Sequence, residues 1–285
     1  MKKILFILAI VVLFALSSCA SENNANPEVT TTPIETASHE ETEYTGEVQY
    51  GSIHVDSFFW NSAQELVSDE DTDYVLIGKV TDISFQVMDK RTGLTPAPGA
   101  KEKYDIYYGE VAEPRWVFEL VTIYDLDVLT TYKGEGDKVA QIRMMGGLRD
   151  YRVEEQLSVM KEYDLDYIPI LSDAPEIKIG ETYLFVLYQY DTCLPAPMSM
   201  HQGIYNLRDP FEKNTVNRSY LRDDPADYYS KSTDEYGNPI YSAKDVISVF
   251  GRDKWKEFWT QWQKDNPDWE TRLDKKAVKR ALAAR

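Results

Sequence analysis

The stretch from Trp116 to Gly147 constrains the fold more than any other part of the chain. Residues 116 to 132 are rich in β-branched and aromatic side chains, and Phe118, Leu120, Tyr124, Leu126 and Val128 share one face at period two. Lys133-Gly-Glu-Gly-Asp-Lys138 is polar and carries two glycines, so it can turn the chain sharply. Val139 to Met145 returns as a second strand and stops at Gly146-Gly147. A long antiparallel hairpin is therefore expected at the centre of the molecule.

Other segments supply partners for it. Tyr74 to Val87 reads as a strong strand with Gly78 as a bend or bulge. Gly180-Glu-Thr-Tyr-Leu-Phe-Val-Leu-Tyr-Gln-Tyr190 is apolar on both faces, as an interior strand is, and Gln202 to Leu207 closes the set. Residues 89 to 114 hold Gly93, Pro96, Pro98, Gly99 and Pro114 and read as an irregular insertion with a short strand at Tyr104 to Tyr108. Five or so strands, some long enough to bend and serve two sides, predict a small closed or half-closed barrel.

Helices are expected around this body. Ser62-Ala-Gln-Glu65 has capping-box spacing and predicts a short helix to about Ser68. Val153, Leu157 and Met160 recur at helical spacing. Ser242 can cap a helix that runs to Phe250 and stops at Gly251. Beyond it Trp255, Phe258, Trp259 and Trp262 form one aromatic stripe, read as packing on its own domain, and Trp269, Leu273 and Ala277 continue an apolar face. The fold class is thus α+β: a mainly antiparallel small β-barrel with a C-terminal helical segment.

The N-terminus points to an address. Met1-Lys-Lys3 is a cationic n-region, and Ile4 to Leu16 is an apolar run too short to span a bilayer but suited to a signal peptide. It ends in Leu16-Ser17-Ser18-Cys19, which resembles the lipobox of bacterial lipoproteins. That resemblance implies that Cys19 becomes the first residue of the mature chain and carries a diacylglyceryl thioether and an N-acyl group, several chains together anchoring a protein stably. Residues 20 to 50 contain seven Glu and no Lys or Arg among many Thr, Asn and Pro, too little apolar surface to offset their ordering entropy. A tether of about 30 residues has an r.m.s. span near 30 Å. The expected organisation is a signal peptide at 1–18, lipidated Cys and acidic tether at 19–52, barrel-like body at 53–220, and loop with C-terminal helices at 221–285.

The motif order of the body resembles a domain of uncharacterised bacterial surface lipoproteins. Its pattern of V-x-G-x-V, V-x-x-V-x-K-G, Gly-Gly, G-E-x-Y-L-x-x-L and Q-G-x-Y is met at Val75 to Val80, loosely at Val128 to Gly134, then at Gly146-Gly147, Gly180 to Leu187 and Gln202 to Tyr205. The resemblance covers about half of the chain and implies an OB-like or netrin-module-like barrel, with no agreed activity or catalytic residues. The insertion at 89 to 114 departs from the pattern.

Charge and chemistry narrow the function. The net charge is -17, which disfavours a nucleic-acid partner. The charge is uneven, because residues 251 to 285 hold ten basic and six acidic side chains. Two cysteines exist, and lipidation of Cys19 leaves Cys193 without an intramolecular partner. His39, His54 and His201 show no metal-ligand spacing, no nucleophile elbow or phosphate loop occurs, and no cofactor is expected. Asp69 to Asp73 imitates the start of a calcium loop, but Tyr74 and Val80 stand where Gly and Glu belong. Asp125 and Asp127 share a strand face as a carboxylate pair, the pair Asp164 and Asp166 can do the same, and His201 is the one acid–base candidate beside a strand. The expectation is a membrane-tethered, extracytoplasmic, non-catalytic binding module whose partner is an envelope protein, peptide or wall polymer. Alternatives are a carboxylate hydrolase of envelope polymers and a netrin-module-like protease inhibitor.

Overall fold

Two sixteen-residue strands form the spine of the body. β2 (Tyr74–Asp89) and β5 (Phe118–Lys133) pair antiparallel along almost their whole length. The computed structural model describes residues 46–53, 59–100, 103–108, 111–116, 118–171, 174–190, 192–213, 233 and 237–283. Cys19, His39, His54 and most of the expected tether lie outside them. The described residues belong to one compact unit, Glu41–Arg285.

A bulge explains how so long a strand keeps its apolar side inward. Leu76 and Val80 face the larger core at even positions, whereas Ile83, Phe85 and Val87 face it at odd ones. The register shifts between Val80 and Asp82, so one extra residue reverses the parity and bends the strand. On β5 the expected period holds: Phe118, Leu120, Tyr124 and Leu126 are buried in this core and Val128 packs on it.

The main sheet has the order β10 (Ile204–Asn206), β8 (Thr182–Tyr188), β2, β5, β6 (Gln141–Met145), with β9 (Ala196–Pro197) also paired to β8. It is open: of the closed or half-closed barrel that the strand pattern suggests, the closed form is not met. Among the described residues one backbone bond, Arg143 N–H to the Pro195 carbonyl at 2.9 Å, joins β6 to the segment leading into β9. Pro195 and Pro197 have no N–H to offer, so a ladder cannot continue across this seam.

Two small pairings flank the sheet. β1 (Tyr50–Ile53) runs parallel to β7 (Ile168–Leu171), so residues expected to end the tether are part of the fold. In the insertion, β3 (Lys103–Tyr108) and β4 (Val111–Trp116) form a hairpin where one short strand was expected. Trp116 therefore belongs to β4, and β5 begins after it.

Helices cover both faces. α1 (Ala63–Ser68) starts as expected, with Ser62 Oγ accepting from Glu65 N–H at 3.0 Å. α2 (Val153–Lys161) packs Val153 and Met160 into the larger core. On the opposite face Val75, Ile77, Leu184 and Val186 meet α1, α3 (Ala243–Ser248) and α4 (Arg252–Asp265) in a second core. α5 (Trp269–Arg272) and α6 (Lys275–Ala283) follow, contributing Val278 to that core, as does Leu273 between them. The aromatic stripe packs inward: Trp255 and Trp262 are buried, and Trp259 stacks on both at centroid distances of 5.9 and 5.1 Å. Gly251 ends the α3 turn and begins α4, its φ of 108° being open to glycine alone among common residues.

Candidate functional site

The body holds a cleft of about 1090 Å³ between α4 and the ends of four strands. Its floor is built by Ile77 of β2, Thr130 and Tyr132 of β5, Thr182 of β8 and the Asn206–Leu207 exit of β10. Its roof is α4, which presents Glu257, Phe258, Gln261 and Trp262. The helix is held over the sheet by Trp262, whose Nε1–H donates to the Leu207 carbonyl at 2.7 Å. Helical spacing puts Phe258, Gln261 and Trp262 on one side because they stand three and four residues apart.

Polar groups are fixed around this apolar base. Glu181 stands at the start of β8, after Gly180 turns the chain with φ of 83°. Its carboxylate accepts from Tyr183 OH at 2.9 Å and from Asn206 Nδ2 at 2.6 Å. Burial pushes the Tyr183 phenol up, so it remains a donor at neutral pH. At the other end Arg272 lies with its guanidinium 5.7 Å from the Trp262 ring centroid and donates to Asn266 Oδ1 at 2.8 Å. Its Nε is buried and finds no acceptor among the described residues. Tyr132 is pushed up by burial and then by the Glu257 carboxylate, and it stacks on Phe250 at 5.3 Å. Leu129, 55% exposed, adds an apolar side chain to the lining. Such a lining offers apolar contact, amide and hydroxyl hydrogen bonds and charges of both signs, the equipment of a recognition cleft.

The residues singled out from sequence lie elsewhere. Asp125 is half-buried on β5, accepts from Gln141 Nε2 at 2.6 Å, and stands opposite Asp82. Asp127 is exposed and stands opposite Lys79. His201 is buried, its ring stacked on Phe59 at 5.5 Å and its backbone N–H donating to Ser199 Oγ at 3.2 Å. None of the three lines the cleft. Asp69 receives Trp60 Nε1–H at 2.7 Å, which with the Asp71 N–H holds its carboxyl below the usual range; the acidic run builds a turn. Among the described residues no three His, Cys, Asp or Glu side chains converge as a metal-ligand set.

Cys193 is half-buried beside a smaller pocket of about 330 Å³ that Arg143 also lines. Arg143 is buried, with Nε donating to the Leu194 carbonyl at 3.2 Å and its guanidinium 4.5 Å from the Tyr190 centroid. Sequence reasoning missed Glu181, Gln261 and Arg272 as cleft residues. Glu181 lies within the G-E-x-Y stretch and Gln261 beside the aromatic stripe, but their meeting depends on the α4 docking that no local pattern encodes.

No known family model matches the chain, and no curated protein is significantly similar to it in sequence.

Proposed function

We propose that this protein is a lipid-anchored, extracytoplasmic binding module of the bacterial envelope and that the α4 cleft is its recognition site. The observation that carries the binding reading is the cleft itself, large enough for several residues of a peptide or wall polymer and lined by groups already held in place. The anchor reading is supported by the Leu16-Ser17-Ser18-Cys19 quartet after a short apolar run. No helix among the described residues is long and apolar enough to cross a membrane. The body is read as a half-closed relative of the OB-like barrel, with its seam where Arg143 meets Pro195. Its occupant is an envelope protein, peptide or wall polymer.

Two experiments test this reading. Mass spectrometry of the protein from native membranes should find a lipid-modified N-terminal Cys19, and Cys19→Ala should release the chain; an unmodified chain in the medium would sink the anchor. A photo-crosslinking residue at position 129, in the cleft, should capture an envelope component in living cells. The same residue at position 161, at the exposed end of α2 on the other face of the sheet, should not. Equal capture from both positions would remove the cleft from the proposal.

A further inference from the structure

A second surface carries chemistry that the cleft does not use. α6 is an amphipathic helix whose nine residues, Lys275-Lys-Ala-Val-Lys-Arg-Ala-Leu-Ala283, include four basic ones and no acid. It sits in a chain of net charge -17. Leu273 and Val278 are 9% and 2% exposed and fix which side of the segment faces the core. At 3.6 residues per turn Lys275, Lys276 and Lys279 fall within an arc of about 100° that does not include Val278. All three are exposed. Lys275 pairs with Glu270 at 3.0 Å, whereas Lys276 and Lys279 make no ion pair among the described residues. Leu282, 41% exposed, borders this basic arc one turn beyond Lys279.

Two lysines without an ion pair among the described residues, beside a third and edged by an exposed leucine, fit one kind of surface well. Each Lys near an anionic bilayer contributes about 1 kcal/mol, and an apolar side chain at the border can enter the headgroup layer. The acidic body is repelled by the same surface, so attraction and repulsion together orient the molecule. We propose that the basic face of α6 docks on anionic phospholipid headgroups and sets how the body stands on the bilayer. The inference rests on the charge pattern of α6, and the Cys19 anchor only supplies proximity.

The test uses the full chain reconstituted in vesicles of phosphatidylcholine alone, or with about one-third phosphatidylglycerol. Lysine acetylation rates are read residue by residue by mass spectrometry. Lys275, Lys276 and Lys279 should be labelled at least about threefold more slowly on the anionic vesicles, and the difference should vanish near 0.5 M salt, where screening acts within about 4 Å. Lys161 and Lys178, exposed on other parts of the body, serve as references and should not change. The double variant Lys276→Glu, Lys279→Glu should abolish the protection of Lys275 while leaving the urea midpoint unchanged. Equal labelling on both vesicle types overturns the proposal. So does equal protection by soluble polyphosphate with phosphatidylcholine vesicles, which would mark a general polyanion site. Because the N-terminal apolar run or its lipid replacement holds the chain on either vesicle, loss of the anchor reading would not mimic either result.

Discussion

Trp60 and Gln202, 142 positions apart, hold each other by reciprocal hydrogen bonds: Trp60 N–H donates to Gln202 Oε1 at 2.9 Å, and Gln202 Nε2 donates to the Trp60 carbonyl at 3.1 Å. Gln202 also donates to the Pro239 carbonyl at 2.8 Å and is wholly buried. One amide thus ties the approach to α1, the approach to β10 and the approach to α3 together.

Gln202→Ala should therefore cost about 2–4 kcal/mol, because it strands the buried Trp60 N–H and leaves a cavity. The Trp60 carbonyl keeps a partner in Tyr241 OH at 2.6 Å, which limits the loss. Urea unfolding measures it; a change below about 0.5 kcal/mol would show that the amide is dispensable.

Asp245 closes the α3 capping box. It accepts from Ser242 N–H at 2.9 Å and Ser242 Oγ at 2.8 Å, and it pairs with Lys213 Nζ. Burial pushes this carboxyl up, but Lys213 and the Ser242 bonds outweigh burial and hold it below the usual range. For an acid whose folded value is depressed, the stabilisation is present above the unfolded value near 4 and is lost as pH falls through the folded value. Asp245→Asn should cost about 1–2 kcal/mol at pH 7, and the gap from wild type should narrow below about pH 4. A gap that stays constant with pH would assign the loss to shape, not charge.

Glu119 behaves in the opposite sense. It is buried on β5, and burial raises its carboxyl, offset only in part by Lys90 at 3.9 Å and by Arg143. With the folded value raised, the ionised form weakens the fold at neutral pH, and the penalty disappears as pH falls below the unfolded value of about 4.3. Glu119→Gln should leave stability at pH 7 equal or higher by up to about 1 kcal/mol, with the advantage gone near pH 4. A clear loss at pH 7 would mean that the Lys90 and Arg143 attractions outweigh burial.

Much of this fold was legible where local pattern and tertiary role agree. β8 reads as an interior strand because Tyr183 to Leu187 are buried whichever face they take. The Ser242 and Ser62 caps were legible because a cap is a contact between near neighbours. The β1–β7 pairing was not: Tyr50-Gly-Ser-Ile53 is too short to show a period, and its partner lies more than 100 residues on. Closure of the barrel fails at Pro195 and Pro197, since strand count does not reveal which edges can exchange hydrogen bonds. Asp125, Asp127 and His201 drew notice as residue types, but type alone cannot say that one would be bound by Gln141, one left in solvent and one stacked on Phe59. The cleft depends on α4 reaching Leu207 through Trp262, a contact across 55 positions.

Gly147 is the sharpest test of that long-range packing. Its N–H donates to the Pro169 carbonyl at 2.7 Å, where the sheet meets β7. A Cβ there would stand 2.0 Å from Gln156 Oε1 and 2.8 Å from Ile168 Cγ2 and Leu120 Cδ2. Gln156 is wholly buried and spans the turn before α2, accepting from Leu148 N–H at 2.9 Å and donating to its carbonyl at 2.8 Å. An added methyl must therefore break that amide bridge or shift the core, and Gly147→Ala should cost about 3 kcal/mol or more. Gly180 gives the contrast: nothing lies within 4 Å of its would-be Cβ, but its φ of 83° disfavours any side chain, so Gly180→Ala should cost only about 1–2 kcal/mol. Urea midpoints of the two variants separate steric from conformational cost. If Gly147→Ala proved as mild as Gly180→Ala, Gln156 would have room to withdraw and the turn before α2 would be looser than its hydrogen bonds imply.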